Sequence, residues 1–370
     1  MWMVNMLVPI RESGALLPQA ILSNTLAKVE RRHRYWLAGV AIQMVSAIVI
    51  FIFAPFMNAA IAGYFVLCSL LLMSISRALV SLTSKDILGA HVDKGKRGKL
   101  TGLASSVSGG VSIILAVTAM FVEFEDTRSR LIMIGVASAS TLMLAMLTTR
   151  AIKTHVNTKK ESAYFNDASQ SQDSAGDKNT IANVLRMLPK QVKRFVLARS
   201  LLVHSALVAP FFILSTGGNS IDSLFGFIVA QASASLISSF LWGKLADKNS
   251  VLTMQLGASI CIMAILINLG IPLLIPDISQ LIIAIGSFFI LSIGHAAIRQ
   301  GRKIYSVDIY SAHDRTEFVG QTNSFIGVVL LLLGGFYAAL SALPSTILMS
   351  MMATALVIGI AVCFTLKKVN

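Results

Sequence analysis

The sequence predicts an all-α integral membrane protein made of two related helical halves, and three observations predict it. Apolar residues make up 55% of the 370 residues, charged residues only 13%, and the mean hydropathy is +0.75. A bilayer accommodates so much apolar surface, whereas a soluble core of this size does not. The Lys and Arg residues collect in alternate loops, and one stretch of the chain repeats another.

The repeat indicates how the chain is organised. One copy reads SISRALVSLTSKDILGAHVDKGKRGKLTGLASSVSGG from Ser74, and the other reads AAIRQGRKIYSVDIYSAHDRTEFVGQTNSFIGVV from Ala296. The copies share charged and small residues at an offset of about 220 residues. The matched pairs are Arg77 with Arg299, Ser84 with Ser306, Asp86 with Asp308, His91 with His313, Arg97 with Arg315, Gly102 with Gly320, and Gly109 with Gly327. A period this long indicates two halves of similar architecture rather than a solenoid.

Apolar segments of about 20 residues, the length that crosses a bilayer, predict about eleven transmembrane helices, five before a central loop and six after it. They lie near residues 2–23, 35–55, 58–83, 100–121, 129–148, 196–215, 223–243, 251–271, 279–299, 317–340 and 346–366. The predicted domains are an N-terminal half-bundle (1–148), a linker (149–195) and a C-terminal half-bundle (196–370). Because duplicated halves should be equal, we expect a twelve-helix plan with one helix upstream of Met1.

The linker differs in composition from the spans around it. Residues 161–179 are polar and rich in turn-forming types, which is typical of a flexible segment. From Ile181 to Phe195, apolar residues recur at helical spacing with basic residues between them. This pattern predicts either an amphipathic helix on the cytoplasmic membrane surface or the entry turn of the next span.

The net charge of +14 does not indicate nucleic-acid binding, because the positive charges follow the loops. Basic residues cluster around 28–34, 94–99, 150–199 and 367–368, while most of the alternate loops carry none. This is the positive-inside pattern, and it places the central loop and the C-terminus in the cytoplasm. The three cysteines lie in apolar runs without metal-ligand spacing. No metal, cofactor or nucleic-acid partner is therefore predicted, and the lipid bilayer is the expected surrounding.

Ionisable and polar residues within the spans are the candidates for a substrate or proton pathway, because such groups are costly in a bilayer unless they face a cavity or a partner. The candidates are Arg11, Glu12, Arg77, His204, Gln231 and Arg299. A structural ion pair, for example between Glu12 and Arg77, or a hydrogen-bonded structural histidine explains them as well. For Arg302 and Lys303, near a helix end, contact with lipid headgroups is the favoured interpretation.

Two aspartates fall where spans should end, and a carboxylate there is unfavourable to the helix dipole. Asp86 and Asp308 are therefore expected to have cationic partners, and Arg97 and Arg315 follow them in the same turns. Such pairs can break and re-form when a bundle moves, or they can be static.

The segment WGKLADKNS from Trp242 resembles the loop motif G-x-L-a-D-r of the major facilitator superfamily. It matches at Gly243, Leu245, Ala246, Asp247 and Lys248. The equivalent stretch TLAKVERRHR has Lys28 where the aspartate belongs. Arg77 stands where the family's fourth helix carries its characteristic arginine, and Arg299 occupies the matching place in the tenth. RESGALLPQ and SRALVSLTSKDILG are similar to a poorly characterised bacterial branch of the family.

The resemblance implies a major-facilitator-type bundle that moves solute by rocking two halves around a midplane site. It also implies that Asp247 bonds the N-terminal amides of the helix beginning near Leu100 and so closes the cytoplasmic side. The gate candidates are Lys28, Asp86, Arg97, Gly243, Asp247, Asp308 and Arg315. The implied location is the bacterial cytoplasmic (inner) membrane.

The leading functional hypothesis is a secondary transporter that moves a small solute by alternating access, with proton coupling through Glu12. No ATP-binding P-loop is visible. The alternatives are a truncated, non-transporting relic or regulator, and a membrane-embedded enzyme. An enzyme would need a clustered constellation of His, Asp or nucleophilic residues, and the sequence has none with metal-ligand spacing.

Overall fold

A computed structural model describes residues 10–11, 13–27, 32–93, 95–121, 127–152, 190–216, 221–309, 315–340 and 342–367. The secondary structure of these ranges is helical, and nine of their helices are long and apolar enough to cross a membrane. A shorter apolar helix, Leu131–Leu147, covers the span predicted near 129–148. Of the predicted span near 2–23, residues 10–11 and 13–23 are described, and they are helical except for a turn at 17–18. The all-α class is confirmed, and the chain is a multi-pass membrane protein.

Thirteen α-helices lie in the described part of the chain, with α1 preceded by a further helical turn. They are α1 Gln19–Ala27, α2 Arg32–Ile48, α3 Ala59–His91, α4 Arg97–Phe121, α5 Thr127–Ile152, α6 Lys190–Leu202, α7 His204–Leu207, α8 Ala209–Leu214, α9 Ile221–Lys248, α10 Ser250–Leu274, α11 Gln280–Asp308, α12 Arg315–Ala339 and α13 Ser345–Cys363. A π-helical turn, Val49–Phe53, continues α2.

The helix boundaries have local causes. Asn58 and Asn249 are extended N-cap residues whose side chains accept hydrogen bonds from Ile61 N and Leu252 N, at 3.0 and 2.9 Å. The span predicted near 196–215 is divided into α6, α7 and α8, and Pro210 in the first turn of α8 removes a backbone donor there. Residues 190–195, placed in the linker by the sequence, form the first turns of α6.

Helices α1, α2, α3, α5 and the first part of α12 form one contact unit. Trp36 on α2 donates a hydrogen bond to Ser84 Oγ on α3 at 3.1 Å. Gly320 brings α12 against α1, because a Cβ there would lie 2.7 Å from the Gln19 carbonyl oxygen. Ser324 Oγ donates to the Leu17 carbonyl at 2.7 Å. Close backbone approach at Gly320 connects α12 with α1, and the Ser324 hydrogen bond connects α12 with the helical turn before α1.

Helices α4, α6 to α11, the end of α12 and α13 form the second unit. In it, α10 and α11 meet backbone to backbone, since a Cβ on Gly257 would lie 2.6 Å from the Gly294 carbonyl oxygen. Phe195 packs on Tyr305 with ring centroids 4.7 Å apart. Each unit contains helices from both ends of the sequence, and α4 belongs with the later helices.

The α10–α11 contact predicts that alanine substitutions at two pairs of glycines will differ in their effect on stability. Gly257→Ala and Gly294→Ala each force a Cβ within 3 Å of backbone atoms of the facing helix, and overpacking of this kind costs about 1–3 kcal/mol. Gly270→Ala and Gly286→Ala, on the same two helices, meet nothing within 4 Å. We expect the first pair to lower the apparent Tm in detergent by several degrees and the second pair to leave it unchanged or raised. Equal effects in both pairs would contradict the packing.

Candidate functional site

The first turn of α4 is bound by a carboxylate from another helix. Helix N-termini leave backbone N–H groups without partners inside the helix. Asp247 Oδ1 accepts a hydrogen bond from Gly98 N and Asp247 Oδ2 accepts one from Lys99 N, each at 2.7 Å. Asp247 lies at the C-terminal end of α9, where its charge opposes the dipole, whereas at the N-terminus of α4 it is favourable. This is the contact that the resemblance implies for the helix beginning near Leu100.

Glycines allow the two helices to come this close. A Cβ on Gly98 would overlap the carbonyl oxygen of Gly243, and a Cβ on Gly243 would overlap that of Gly98. One turn on, a Cβ on Gly102 would lie 2.5 Å from the Ser239 carbonyl oxygen. The spacing of Gly98 and Gly102 is the small-xxx-small pattern that brings membrane helices into backbone contact.

A buried ion pair holds the same turn. Arg97 Nη1 lies 3.0 Å from Asp308 Oδ1, and the two side chains are only 9% and 5% exposed. Arg97 is a cation at the start of α4 and Asp308 an anion at the end of α11, so each opposes its own helix dipole and compensates the other. The sequence predicts a cationic partner for Asp308, and Arg97 of the other copy of the repeat is such a partner. The reason is tertiary, because α4 and α11 both pack against α9.

We call the first turn of α4 together with Asp247 and Asp308 the α4 clasp. The α4 clasp lies next to a cavity of about 520 Å³ with a mostly polar set of lining residues. The cavity is formed within the second unit by α4, α9 and α11. The cavity is lined by Thr101, Ala104, Ser105, Ser108, Gly109, Ser112, Ile228, Gln231, Ala232, Ser235, Arg299 and Lys303. Residues 101 to 112 advance about 16 Å along α4, so the cavity extends well into the span.

Gln300 fixes the wall between α4 and α11. Its side chain is 2% exposed, its Oε1 accepts from Thr101 Oγ1 at 3.2 Å, and its Nε2 donates to Ser105 Oγ at 3.2 Å. Ser235 Oγ on α9 donates to the Ser105 carbonyl at 3.1 Å. These bonds satisfy buried polar groups, as a low-dielectric site requires.

The cavity brings together two of the predicted pathway residues, Gln231 and Arg299, and both are exposed there. His204 lies elsewhere in the unit and is buried. Its Nδ1 is 2.8 Å from the Leu201 carbonyl oxygen, and its ring meets Tyr337 edge-on. The exposed Arg11 and the half-buried Arg77 belong to the other unit.

Several predicted residues cannot be placed in this geometry. Glu12 and Lys28 lie outside the described residues. Asp86 and Arg315 lie in α3 and α12, but their side chains are outside the described part. Within the described part of the chain, no group of three His, Cys, Asp or Glu residues could hold a metal ion.

Sequence reasoning missed Lys303, which lines the cavity, and Gln300, which binds two of the lining residues. The sequence favoured contact of Lys303 with lipid headgroups. In the structure Lys303 lines the cavity, because it lies on the same face of α11 as Arg299. Gln300 was not singled out at all. The signal available for Lys303 was helical spacing, since it is one turn from Arg299 on the same face. A polar row of Thr101, Ser105, Ser108 and Ser112 on α4 follows the same spacing.

Comparison with solved structures shows the fold of the major facilitator superfamily. The chain is similar to the proton:xylose symporter XylE of that superfamily, bound to 6-bromo-6-deoxy-D-glucose, with 11% identity, a TM-score of 0.69, and coverage of 98% of this chain and 86% of that one. It is also similar to a bacterial homologue of the iron transporter ferroportin in the outward-facing state, with 12% identity, a TM-score of 0.67, and coverage of 98% and 90%. The same homologue with soaked iron gives 13% identity and a TM-score of 0.65.

No protein-family model matches the chain, and no curated protein matches it significantly. At 11–13% identity the likeness to solved structures concerns the fold. The major-facilitator-type bundle expected from the loop motif is thereby confirmed.

The buried ion pair can be tested by a double-mutant cycle. Arg97→Ala leaves a carboxylate buried at the end of α11, and breaking such a pair costs about 3–5 kcal/mol. We expect Arg97→Ala and Asp308→Ala each to destabilise the purified chain, and the double variant to lose less than the sum by at least about 1 kcal/mol. Unfolding in detergent measures each variant. Strictly additive losses would show that the pair contributes no coupling.

Proposed function

We propose that the chain is a secondary transporter that moves a small solute across the membrane by alternating access. The observation that carries this proposal is the α4 clasp beside the polar cavity. A contact made of one carboxylate, two backbone amides and an ion pair can open without repacking an apolar core, as a gate must.

The strength of the Asp247 contact suits a reversible gate. Hydrogen bonds to a charged group contribute about 1.5–3 kcal/mol each, so the two bonds to Asp247 amount to about 3–6 kcal/mol. A solute bound at micromolar affinity contributes about 8 kcal/mol. Differential binding of solute to the two states can therefore offset the loss of these two bonds, and differential binding is the only way a ligand shifts such an equilibrium.

The cavity favours a transporter over a helical bundle with a purely structural role. Hydroxyl, amide and cationic groups are unfavourable in hydrocarbon unless water, solute or protein satisfies them. Gln231, Arg299 and four serines face a space within the span. A space lined by such polar groups favours a hydrated path for a solute.

The two sequence halves, residues 1–148 and 196–370, move against each other, and the linker and C-terminus lie in the cytoplasm of a bacterium. The basic loops support this orientation.

Gly243 belongs to the gate because it permits the approach of α4, and Lys28, Asp86 and Arg315 take part in a corresponding contact. One structural neighbour is a proton symporter, which supports coupling to H+.

A reversible cross-link tests alternating access. Lys99 and Lys248 are both exposed, and the amide of Lys99 binds the residue next to Lys248. In a Cys68→Ser background, a bis-methanethiosulfonate reagent should join Lys99→Cys to Lys248→Cys and hold the clasp closed. We expect solute flux into liposomes to fall at least about tenfold and to return with dithiothreitol.

The two single-cysteine variants, treated with the same reagent, are the matched controls and should keep their flux. The solutes to screen are labelled organic acids, sugars, amino acids and Fe²⁺. Flux that persists through a complete cross-link, or no protein-dependent flux of any solute, would overturn the proposal.

Proton coupling has its own test. If Glu12 carries the coupled proton, Glu12→Gln should abolish flux driven by a pH gradient and preserve exchange of solute at equal pH. The measurement compares both modes in the same liposomes. Unchanged gradient-driven flux would remove Glu12 as the proton site and leave transport itself intact.

A further inference from the structure

Two cations of α11 face the cavity. Arg299 and Lys303 both line it, and in the described part of the chain neither side chain has an ion-pair or hydrogen-bond partner. They are four residues apart on α11, so their like charges lie one turn from each other and repel. A negative group bound between them would stabilise such a pair within a span.

Two neutral groups in the same lining are also unengaged. The Gln231 amide and the Ser108 hydroxyl are exposed to the cavity and have no hydrogen-bond partner among the described residues. By contrast, Thr101, Ser105 and Ser235 are bound to Gln300 or to backbone carbonyls. Among the described residues, the cavity thus has a fixed wall and four polar groups without a hydrogen-bond or ion-pair partner, and two of the four are positively charged.

We propose that this cavity binds the oxyanion group, a carboxylate or a phosphate, of a small organic anion, which is the transported solute. Arg299 offers a planar fork of donors that matches both groups, and Lys303 adds a point charge. Gln231 and Ser108 supply hydrogen bonds to the rest of the solute. A volume of about 520 Å³ is that of a small-molecule site. This inference rests on the proposed function and specifies its substrate class.

The same chemistry could meet the phosphate of a lipid headgroup. The depth of the cavity favours a solute, because the polar row on α4 continues about 16 Å beyond the clasp end of the helix. A headgroup lies at the membrane interface and does not extend along such a row.

The test measures binding to the full-length purified chain in uncharged detergent. The probes are succinate, benzoate, inorganic phosphate and glycerol 3-phosphate, each beside an uncharged analogue such as succinamide, benzamide or glycerol. We expect at least one anion to raise the Tm while its uncharged analogue does not. Arg299→Gln and Lys303→Gln should each raise the Kd of that anion at least about tenfold.

Charge-conserving and distant variants control for folding. Lys303→Arg should keep most of the affinity, and Arg299→Lys, which keeps the charge but loses the planar fork, should bind more tightly than Arg299→Gln. Lys244→Gln removes an exposed lysine on α9 that does not line the cavity, and it should leave the Kd unchanged. If none of the anions binds, or if their affinity is the same in the Arg299→Gln/Lys303→Gln double variant, the proposal is overturned.

Nanodiscs distinguish the two sources of phosphate. Stabilisation by phosphatidylglycerol over phosphatidylcholine, lost in the same two variants and without any response to soluble anions, would assign the cations to lipid and overturn the solute site. Cross-link-sensitive flux of a neutral solute that is insensitive to both variants would overturn the anion class alone, and the transporter proposal would stand.

Discussion

The arrangement around the cavity depends on a carboxylate that opposes the dipole of its own helix and is favourable at the start of another. Asp247 ends α9 and binds the free amides of Gly98 and Lys99, while Asp308 ends α11 and pairs with Arg97. Both acids meet one turn of α4, so three helices converge at this point. Because the attraction is electrostatic and local, it can form and break while the apolar packing of each helix stays intact.

Paired glycines make the same geometry possible in both units. Gly102 and Gly109 bring α4 onto α9. Their repeat partners Gly320 and Gly327 bring α12 onto α1 and onto the helical turn before it, respectively. A Cβ on Gly109 would lie 2.6 Å from the backbone nitrogen of Leu236, so the approach is set by backbone and not by side chains. Duplication therefore preserved a way of packing helices. In the loop motif the two copies differ, since one has Asp247 and the other Lys28.

The features of the fold and the site that depend on hydropathy and on short motifs could be predicted from the sequence. Hydropathy and the repeat predicted the class, and the loop motif predicted the bond from Asp247 to the helix near Leu100. The partner of Arg97 could not be predicted in this way, because it depends on α4 and α11 packing on α9. The position of Lys303 in the cavity was missed for a related reason. Because it lies near the end of its helix, the sequence suggested contact with lipid headgroups, whereas its helical face places it beside Arg299 in the cavity.

The central claim is that the α4 clasp is a reversible contact held by Asp247. Hydrogen–deuterium exchange of the amides of Gly98 and Lys99 in lipid nanodiscs tests it most directly, because first-turn amides are otherwise without helix partners. The account predicts slow exchange in the native chain and exchange at least about tenfold faster in Asp247→Ala, with peptides from the middle of α10 unchanged. Equal exchange of these amides in the two proteins would contradict it.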